Sequence, residues 1–357
     1  MQNYLMLIIN PGSTSTKIAL FENTRPLKVE TLRHDTKLIN SLNTIEQQLK
    51  FRGDIILDFL KANNVDLKSI DCFVGRGGLL RPLQGGVYEI NSKMKDDLVS
   101  KKYGYHASNL GGLIASDLAN RYHKPSYIVN PVVVDEMCDL ARVSGSKLMQ
   151  RKSIFHALNQ KAVAQRHAKL VNSSYDKLDL IVVHMGGGVS VGLHQQGKVV
   201  DVNNALDGDG PMSPERAGGV PAGALIDVCF SNKYTKEEIK KMLVGQGGIV
   251  SYLDTADMQL IGKEVEAGNK NYEFYMDAMI YQIVKEVGSL YFIAGGKIDG
   301  ILFTGGIAYG KLFMDKLLKY IKPITNKIYV YPGEDEMLAL AEGGYEVLTG
   351  IVKTQIY

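Results

Sequence analysis

Two short stretches gather hydroxyls, amides and glycines where an anion could be held. The first is Leu5-Met6-Leu7-Ile8-Ile9-Asn10-Pro11-Gly12-Ser13-Thr14-Ser15-Thr16-Lys17-Ile18-Ala19-Leu20-Phe21. An apolar run enters a small-residue turn and a second apolar run leaves it, which predicts a β-hairpin with Pro11-Gly12 freeing the tip to project. Ser13, Thr14, Ser15 and Thr16 bring hydroxyls and backbone N–H groups, and Lys17 adds a point charge, so the tip reads as a phosphate cradle or as an ordinary polar turn. The second stretch, Leu178 to Leu193, repeats the design around His184-Met185-Gly186-Gly187-Gly188. Three glycines in succession let backbone amides approach a bulky anion where a Cβ would intrude. The register of Leu5, Leu7, Ile8 and Gly12 against Leu178, Leu180, Ile181 and Gly186 suggests an internal duplication.

Other residues able to do chemistry sit at element ends. Arg76-Gly77-Gly78 follows the short apolar run Ile70 to Gly75, where α/β sheets place ligand-binding groups and where a surface arginine at a turn is the plain alternative. His156 precedes a helical pattern, at an end that favours anions, although a histidine beside Phe155 also reads as packed. Arg216 closes the Asp-, Gly- and Pro-rich loop Asn203 to Arg216, either a lid or a solvated turn. Thr304-Gly305-Gly306-Ile307-Ala308-Tyr309-Gly310 lies between a strand and a helix, an arrangement that admits a nucleotide ring or sugar against the backbone. Glu334, Asp335 and Glu336 open the last helix, a charge preference of helix starts that can also hold a hydrated Mg²⁺.

The elements that must position these groups are strands at Leu27 to Leu32, Tyr127 to Pro131 with a continuation over Val132 to Asp135, Lys198 to Val202, Ile298 to Phe303 and Lys327 to Tyr331. Helices are expected at Thr44 to Lys61, Asn109 to Arg121, Ala157 to Leu170, Thr235 to Val244, Asn271 to Ile293, Lys311 to Tyr320, and from the acidic trio to about Val352. The Tyr and Met stripe of Asn271 to Ile293 reads as core or an interface between subunits.

At 357 residues the chain suits two domains, and 45% hydrophobic with 22% charged residues suits a soluble globular protein. A net charge of +3 without a Lys/Arg cluster among aromatics argues against nucleic acid as partner. Cys72, Cys138 and Cys229 lack metal-ligand spacing and read as reduced thiols of a cytoplasmic protein, and no leader or membrane span is evident.

The order hairpin, Arg-Gly-Gly, Phe-His, His-x-Gly-Gly-Gly, Pro-Glu-Arg, Thr-Gly-Gly, Glu-Asp-Glu covers nearly the whole chain. With the spellings NPGSTSTK and VHMGGGVS it resembles the acyl-phosphate-forming acetokinase family, and within it most closely the butyrate kinases, in the superfamily of actin, Hsp70 and the sugar kinases. The resemblance implies an α/β fold of two duplicated actin-like (ribonuclease H-like) lobes with ATP in the cleft between them. Residues 1–150 plus 337–357 would form the acyl-substrate lobe and residues 151–336 the nucleotide lobe. It implies ATP-dependent phosphorylation of butanoate to butanoyl phosphate with ADP as the other product, by direct in-line transfer. It also implies ATP/ADP and Mg²⁺ as cofactors, a homo-oligomer, and no membrane.

Residue by residue, the resemblance places Asn10 and Glu336 at the metal, with Glu334 or Asp335 as alternatives to Glu336. Ser13, Ser15 and Lys17 would lie near the transferred phosphoryl group, and Arg76 and Arg216 on carboxylate and phosphoryl oxygens. His156 would stabilise the transition state. His184 and Gly186, Gly187 and Gly188 would hold nucleotide phosphates, Asp257 would face the ribose, and Gly305, Gly306, Ala308 and Gly310 would line the adenosine pocket. The chemistry suits these types, because a carboxylate is already ionised at neutral pH and the obstacle is bringing an anion against a polyanion.

One departure is Asn130, in Val129-Asn130-Pro131, where the acid kinases carry Asp. Its amide oxygen is expected to orient a metal-bound water, and the enzyme to be active without a proton-abstracting base. Gly77 and Gly78 stand where acetate kinases carry larger aliphatic residues, which predicts a roomier acyl pocket, with isobutyrate, propionate and acetate as alternative acids. A sugar kinase would need an Asp base, and a non-catalytic ATP switch would need no paired arginines.

Overall fold

The computed structural model describes residues 2–42 and 44–357. The chain divides into two compact units, one comprising Met1–Val134 with Asp335–Tyr357 and the other Asp135–Glu334.

The first unit is built on strands β1 (Leu5–Pro11), β2 (Ser15–Glu22), β3 (Arg25–Arg33), β4 (Cys72–Gly75), β5 (Val87–Glu89) and β6 (Ser126–Val129). They form one sheet in the order β3-β2-β1-β4-β6-β5. β1, β2 and β3 run as an antiparallel meander, β4 and β6 lie parallel to β1, and β5 returns antiparallel to β6. Met6 to Ile9 are wholly buried, as an unbroken apolar run requires of a strand covered on both faces. Helices Asn109–Asn120 and Glu336–Leu348 both pack on β1, β4 and β6. Helix Ile45–Ala62 starts with a capping box, Thr44 and Gln47 each bonding the other's backbone N–H, and packs on Asn109–Asn120.

The second unit adds β7 (Leu180–Met185), β8 (Val189–Gln195), β9 (Lys198–Val202), β10 (Gly300–Gly305) and β11 (Ile328–Pro332), ordered β11-β10-β7-β8-β9. Its antiparallel meander β7-β8-β9 and parallel neighbours β10 and β11 reproduce β1-β2-β3 with β4 and β6, so the duplication read from the two hairpins extends to five strands of each sheet. One face of this sheet is covered by helices Lys270–Ile293 and Lys311–Ile321. Met276, Met279, Ile280, Ile283 and Val287 of the long helix are core residues there. The other face is covered by Ala157–Leu170, through Val163, Ala164 and Ala168.

The chain passes to the second unit after Val134 and not near Gln150. The segment after Asp135 is bound to β9: Cys138 N–H donates to Val200 O at 2.9 Å, Val199 N–H to Glu136 Oε2 at 2.8 Å, and Arg151 Nη1 to Asp201 Oδ1 at 2.9 Å. The return falls between Glu334 and Asp335. β6 does not continue through Val132 to Asp135, because Asn130 takes a left-handed φ of 38° and a turn closes from Val134 N to Pro131 O. The last helix stops at Leu348, with Gly350 at φ 73°. Helices Ser92–Val99, Ala222–Cys229 and Met258–Glu266 complete the larger elements of the two units.

Candidate active site

In the first unit, Asn10 and Arg76 occupy the ends of β1 and β4, and Glu336 the first turn of the last helix. Asn10 Nδ2 donates to Glu336 Oε2 at 2.7 Å, and the Arg76 guanidinium is paired with Glu336 Oε1. Both side chains of that ion pair are largely buried. Lys17 stands directly across from Asn10 in the β1–β2 pair and so shares its face of the sheet. Of the acidic trio, Glu336 meets Asn10 and Arg76, whereas Glu334 lies in the second unit beside His184.

The donor set at Asn10 and Glu336 fits Mg²⁺ of the kind that keeps most of its waters and takes the rest of its ligands from phosphate oxygens. A single carboxylate and an amide oxygen suffice for that, and among the described residues there is no cluster of three or more His, Cys, Asp or Glu able to cage a metal.

The hairpin tip is braced from behind by Arg52 of helix Ile45–Ala62, which the sequence did not single out. Arg52 Nη1 donates to Ser15 O at 2.7 Å and to Thr16 Oγ1 at 2.8 Å, and Nη2 donates to Ser13 O at 3.1 Å. His34 N–H donates to Thr14 O at 2.9 Å. Three successive tip carbonyls are thus turned inward, while Ser13 is exposed and Ser15 and Lys17 are half-buried. Burial lowers the Arg52 pKa, and burial together with Arg52 lowers that of His34. The available signal was Gln48 and Arg52 on the helix stripe otherwise buried through Ile45, Ile56 and Phe59.

Asn130 is buried, and its Oδ1 accepts the Gly86 N–H at 2.7 Å while its own N–H donates to Gly86 O at 2.9 Å. The oxygen expected to orient a metal-bound water therefore holds a backbone loop, and Asn suits the position because it tolerates left-handed backbone. Gly77 and Gly78 do not open a pocket either. A Cβ on Gly77 would lie 2.5 Å from Pro131 Cβ, and one on Gly78 2.5 Å from Asn109 Cα, so both spaces are filled by protein.

In the second unit, His156 caps Ala157–Leu170, and its ring stacks on that of His184 with centroids 3.8 Å apart and planes 12° from parallel. His156 is half-buried, not sealed in the core. Its Nδ1 meets Ser190 Oγ at 2.9 Å, and His184 Nδ1 donates to Asn159 Oδ1 at 2.8 Å. His184 Nε2 is buried without a hydrogen-bond partner, 3.2 Å from Glu334 Oε1 and beside Gly186. An orphaned ring nitrogen next to a glycine turn fits a nucleotide phosphate oxygen as its missing partner only when it carries a hydrogen, which with Nδ1 donating means the ring holds both hydrogens.

Arg216 lies across the same turn, Nη1 donating to Ala205 O, and a Cβ on Gly188 would lie 2.6 Å from its Cζ. Burial lowers the Arg216 pKa and Glu215 partly offsets this. Ser213 Oγ donates to Gly187 O at 2.6 Å and fastens the loop to the turn. His156, His184, Gly186 to Gly188 and Arg216 therefore form one cluster, with Ser190 as a member that sequence spacing did not reveal.

Other expected nucleotide contacts are differently placed. Asp257 is the N-cap of Met258–Glu266, its Oδ1 accepting from Gln259 N at 2.9 Å and Leu260 N at 3.2 Å. Ala308 is a buried core residue in the short turn Gly306–Tyr309. Gly305, at φ 92°, is required where β10 crowds the end of β7, a Cβ there falling 2.7 Å from Met185 C. Gly306 and Gly310 are exposed.

The model of the acetokinase family matches residues 138–319. The chain is 53% identical over 358 residues to a protein named probable butyrate kinase from Clostridium botulinum, covering 99% of this chain and all of that one. It is 50% identical over 357 residues to butyrate kinase 1 of Clostridium acetobutylicum, covering 99% of each. Among solved structures, acetate kinase from Porphyromonas gingivalis shares the fold with a TM-score of 0.77 at 18% identity, over 97% of this chain and 100% of that one. The chain belongs to the acetokinase family.

Proposed function

We propose that the protein is a butyrate kinase, transferring the γ-phosphoryl group of ATP to the carboxylate of butanoate. The observation that carries this reading is identity of 50% or more over nearly the full length with butyrate kinases. The site chemistry supports it. A carboxylate nucleophile is ionised at neutral pH, so it needs charge compensation and not a base. Arg76 and Lys17 of the first unit are cations, and Arg216 with the His156–His184 pair of the second brings a cation and N–H donors, groups of the kind that stabilise anionic oxygens in phosphoryl transfer. Asn10 and Glu336 would hold Mg²⁺, which when bound supplies further charge neutralisation on the phosphates. The glycine turn and His184 take nucleotide phosphates, Ser13 and Ser15 the hydroxyl contacts to the phosphoryl group, and Arg76 the substrate carboxylate.

The physiological setting is the cytoplasm, in keeping with free thiols at Cys72, Cys138 and Cys229 and with the absence, among the described residues, of any helix long and apolar enough to cross a membrane. The working form is a homo-oligomer. Trapping the acyl phosphate with hydroxylamine, over acetate, propionate, butanoate, isobutyrate and valerate with Mg·ATP, tests the assignment. Butanoate is expected to give the highest kcat/KM, with acids one methylene away about 10- to 200-fold lower. Absence of hydroxamate from every acid, with ATP turnover on sugars instead, overturns it.

A further inference from the structure

Behind His156 runs a continuous polar chain through the second unit: Ser190, Gln160, His194 and Tyr175. Ser190, Gln160 and His194 have no exposed surface. Gln160 Nε2 lies 3.0 Å from Ser190 O and 2.7 Å from Ser190 Oγ, and Gln160 Oε1 lies 2.9 Å from His194 Nε2. The Tyr175 hydroxyl lies 2.8 Å from His194 Nδ1. An ordinary core would fill this space with apolar side chains, because each polar member costs desolvation unless fully paired.

The hydrogens in this chain can be placed by elimination. Ser190 O is a carbonyl and only accepts, so the Gln160 amide must present its NH₂ to Ser190 and its oxygen to His194. His194 Nε2 then carries a hydrogen and donates it. Burial and the nearby Lys161 lower the His194 pKa well below its usual value, so the ring is neutral and Nδ1 accepts from Tyr175, whose hydroxyl is held protonated by burial. At the other end Ser190 Oγ already accepts one Gln160 hydrogen. Its own buried hydrogen needs an acceptor, and the remaining partner of Ser190 Oγ is His156 Nδ1 at 2.9 Å.

We propose that Ser190, oriented by Gln160 and His194, is a positioning residue that fixes neutral His156 as the tautomer with its hydrogen on Nε2. Nδ1 is occupied as an acceptor, so the ring enters the reaction as an N–H donor of defined direction and not as a base. This rests on the reading of His156 as a contact to the transferring phosphoryl group.

The test is made on the full-length protein with ¹⁵N-histidine, the His156 signals being assigned by His156→Asn. Long-range ¹H–¹⁵N correlation is expected to show Nδ1 of His156 as pyridine-like and Nε2 as pyrrole-like. Ser190→Ala is expected to give a mixture of tautomers and a roughly tenfold lower kcat, with KM for ATP and butanoate within about twofold. Ser190→Thr, which keeps the hydroxyl, is expected to restore both. A wild-type His156 with its hydrogen on Nδ1 overturns the proposal without any variant having to fold. Spectra unchanged by Ser190→Ala also overturn it. Full kcat in His156→Ala overturns the catalytic reading beneath it, and that result comes from a separate measurement.

Discussion

Replacing Gly188 by alanine adds one methyl group where the Arg216 guanidinium now lies. The new Cβ would sit 2.6 Å from Arg216 Cζ. An ordinary carbon–carbon contact is about 3.5 Å, so the guanidinium must withdraw by about 1 Å or more. The backbone at Gly188 is outside the left-handed region, so alanine is conformationally acceptable there, and the obstacle is the mobile end of a side chain rather than main chain. The displaced arginine loses its seat on Ala205 O, while the sheet beneath keeps its pairing. A misplacement of about 1 Å in a charge-stabilising group costs about 10²-fold in rate, or about 2.7 kcal/mol of transition-state stabilisation. The hydroxamate assay with saturating Mg·ATP reads kcat, and urea unfolding followed by circular dichroism reads stability. The expected result is kcat down about 100-fold with the unfolding midpoint within about 0.5 M of wild type. A variant within threefold of wild-type kcat refutes the placement of Arg216 in the chemistry. A variant lost through unfolding refutes the claim that the side chain and not the fold absorbs the methyl group.

Three further outcomes follow from the geometry. Gly78→Val is expected to lower stability by at least 2 to 3 kcal/mol through overpacking against Asn109 and to leave the acid preference unchanged in whatever folds; a clean shift toward acetate would restore Gly78 to the acyl pocket. Asn130→Asp keeps an acceptor for the Gly86 N–H and tolerates the left-handed backbone, so activity should stay within about fivefold of wild type; an inactive wild type that recovers on this change would mean a carboxylate base is needed. His194 is held neutral in the fold, and its folded pKa lies below the unfolded value near 6.5. It therefore contributes stability that is present above pH 6.5 and lost as pH falls, at up to about 1.4 kcal/mol per pH unit, and His194→Gln should flatten urea midpoints measured from pH 7.5 to 5.5. An unchanged slope would show that His194 takes up protons equally in both states.

The strands were legible because an unbroken apolar run has few other places to go, and both hairpins announced themselves by small residues between such runs. Position along the chain also singled out Asn10, Arg76, His156, His184 and Arg216 as candidates, since each ends a strand, caps a helix or closes a turn. What remained hidden depends on pairings remote in sequence. Arg52 lies in no motif and Ser190 ends VHMGGGVS with no role attached to it, and only the fold shows that one braces the hairpin tip across 37 residues and the other meets His156 across 34. Glycine misled where it was read as empty space: at Gly77 and Gly78 the missing side chain is the room that Pro131 and Asn109 occupy.

Helix Glu336–Leu348 completes a sheet whose strands are made at the start of the chain, and Gln355 and Tyr357 add to the same unit through Gly85 O and Asp97. Between β6 and that helix the ribosome must synthesise the 200 residues of Asp135–Glu334, which takes about 10 to 40 s at 5 to 20 residues per second. Throughout that interval β1, β4 and β6 lack one of the two layers that keep water from them. The half of the molecule translated first is thus the half finished last, and a nascent chain stalled anywhere before Glu336 would present those strands to chaperones or to aggregation even with the later half already native.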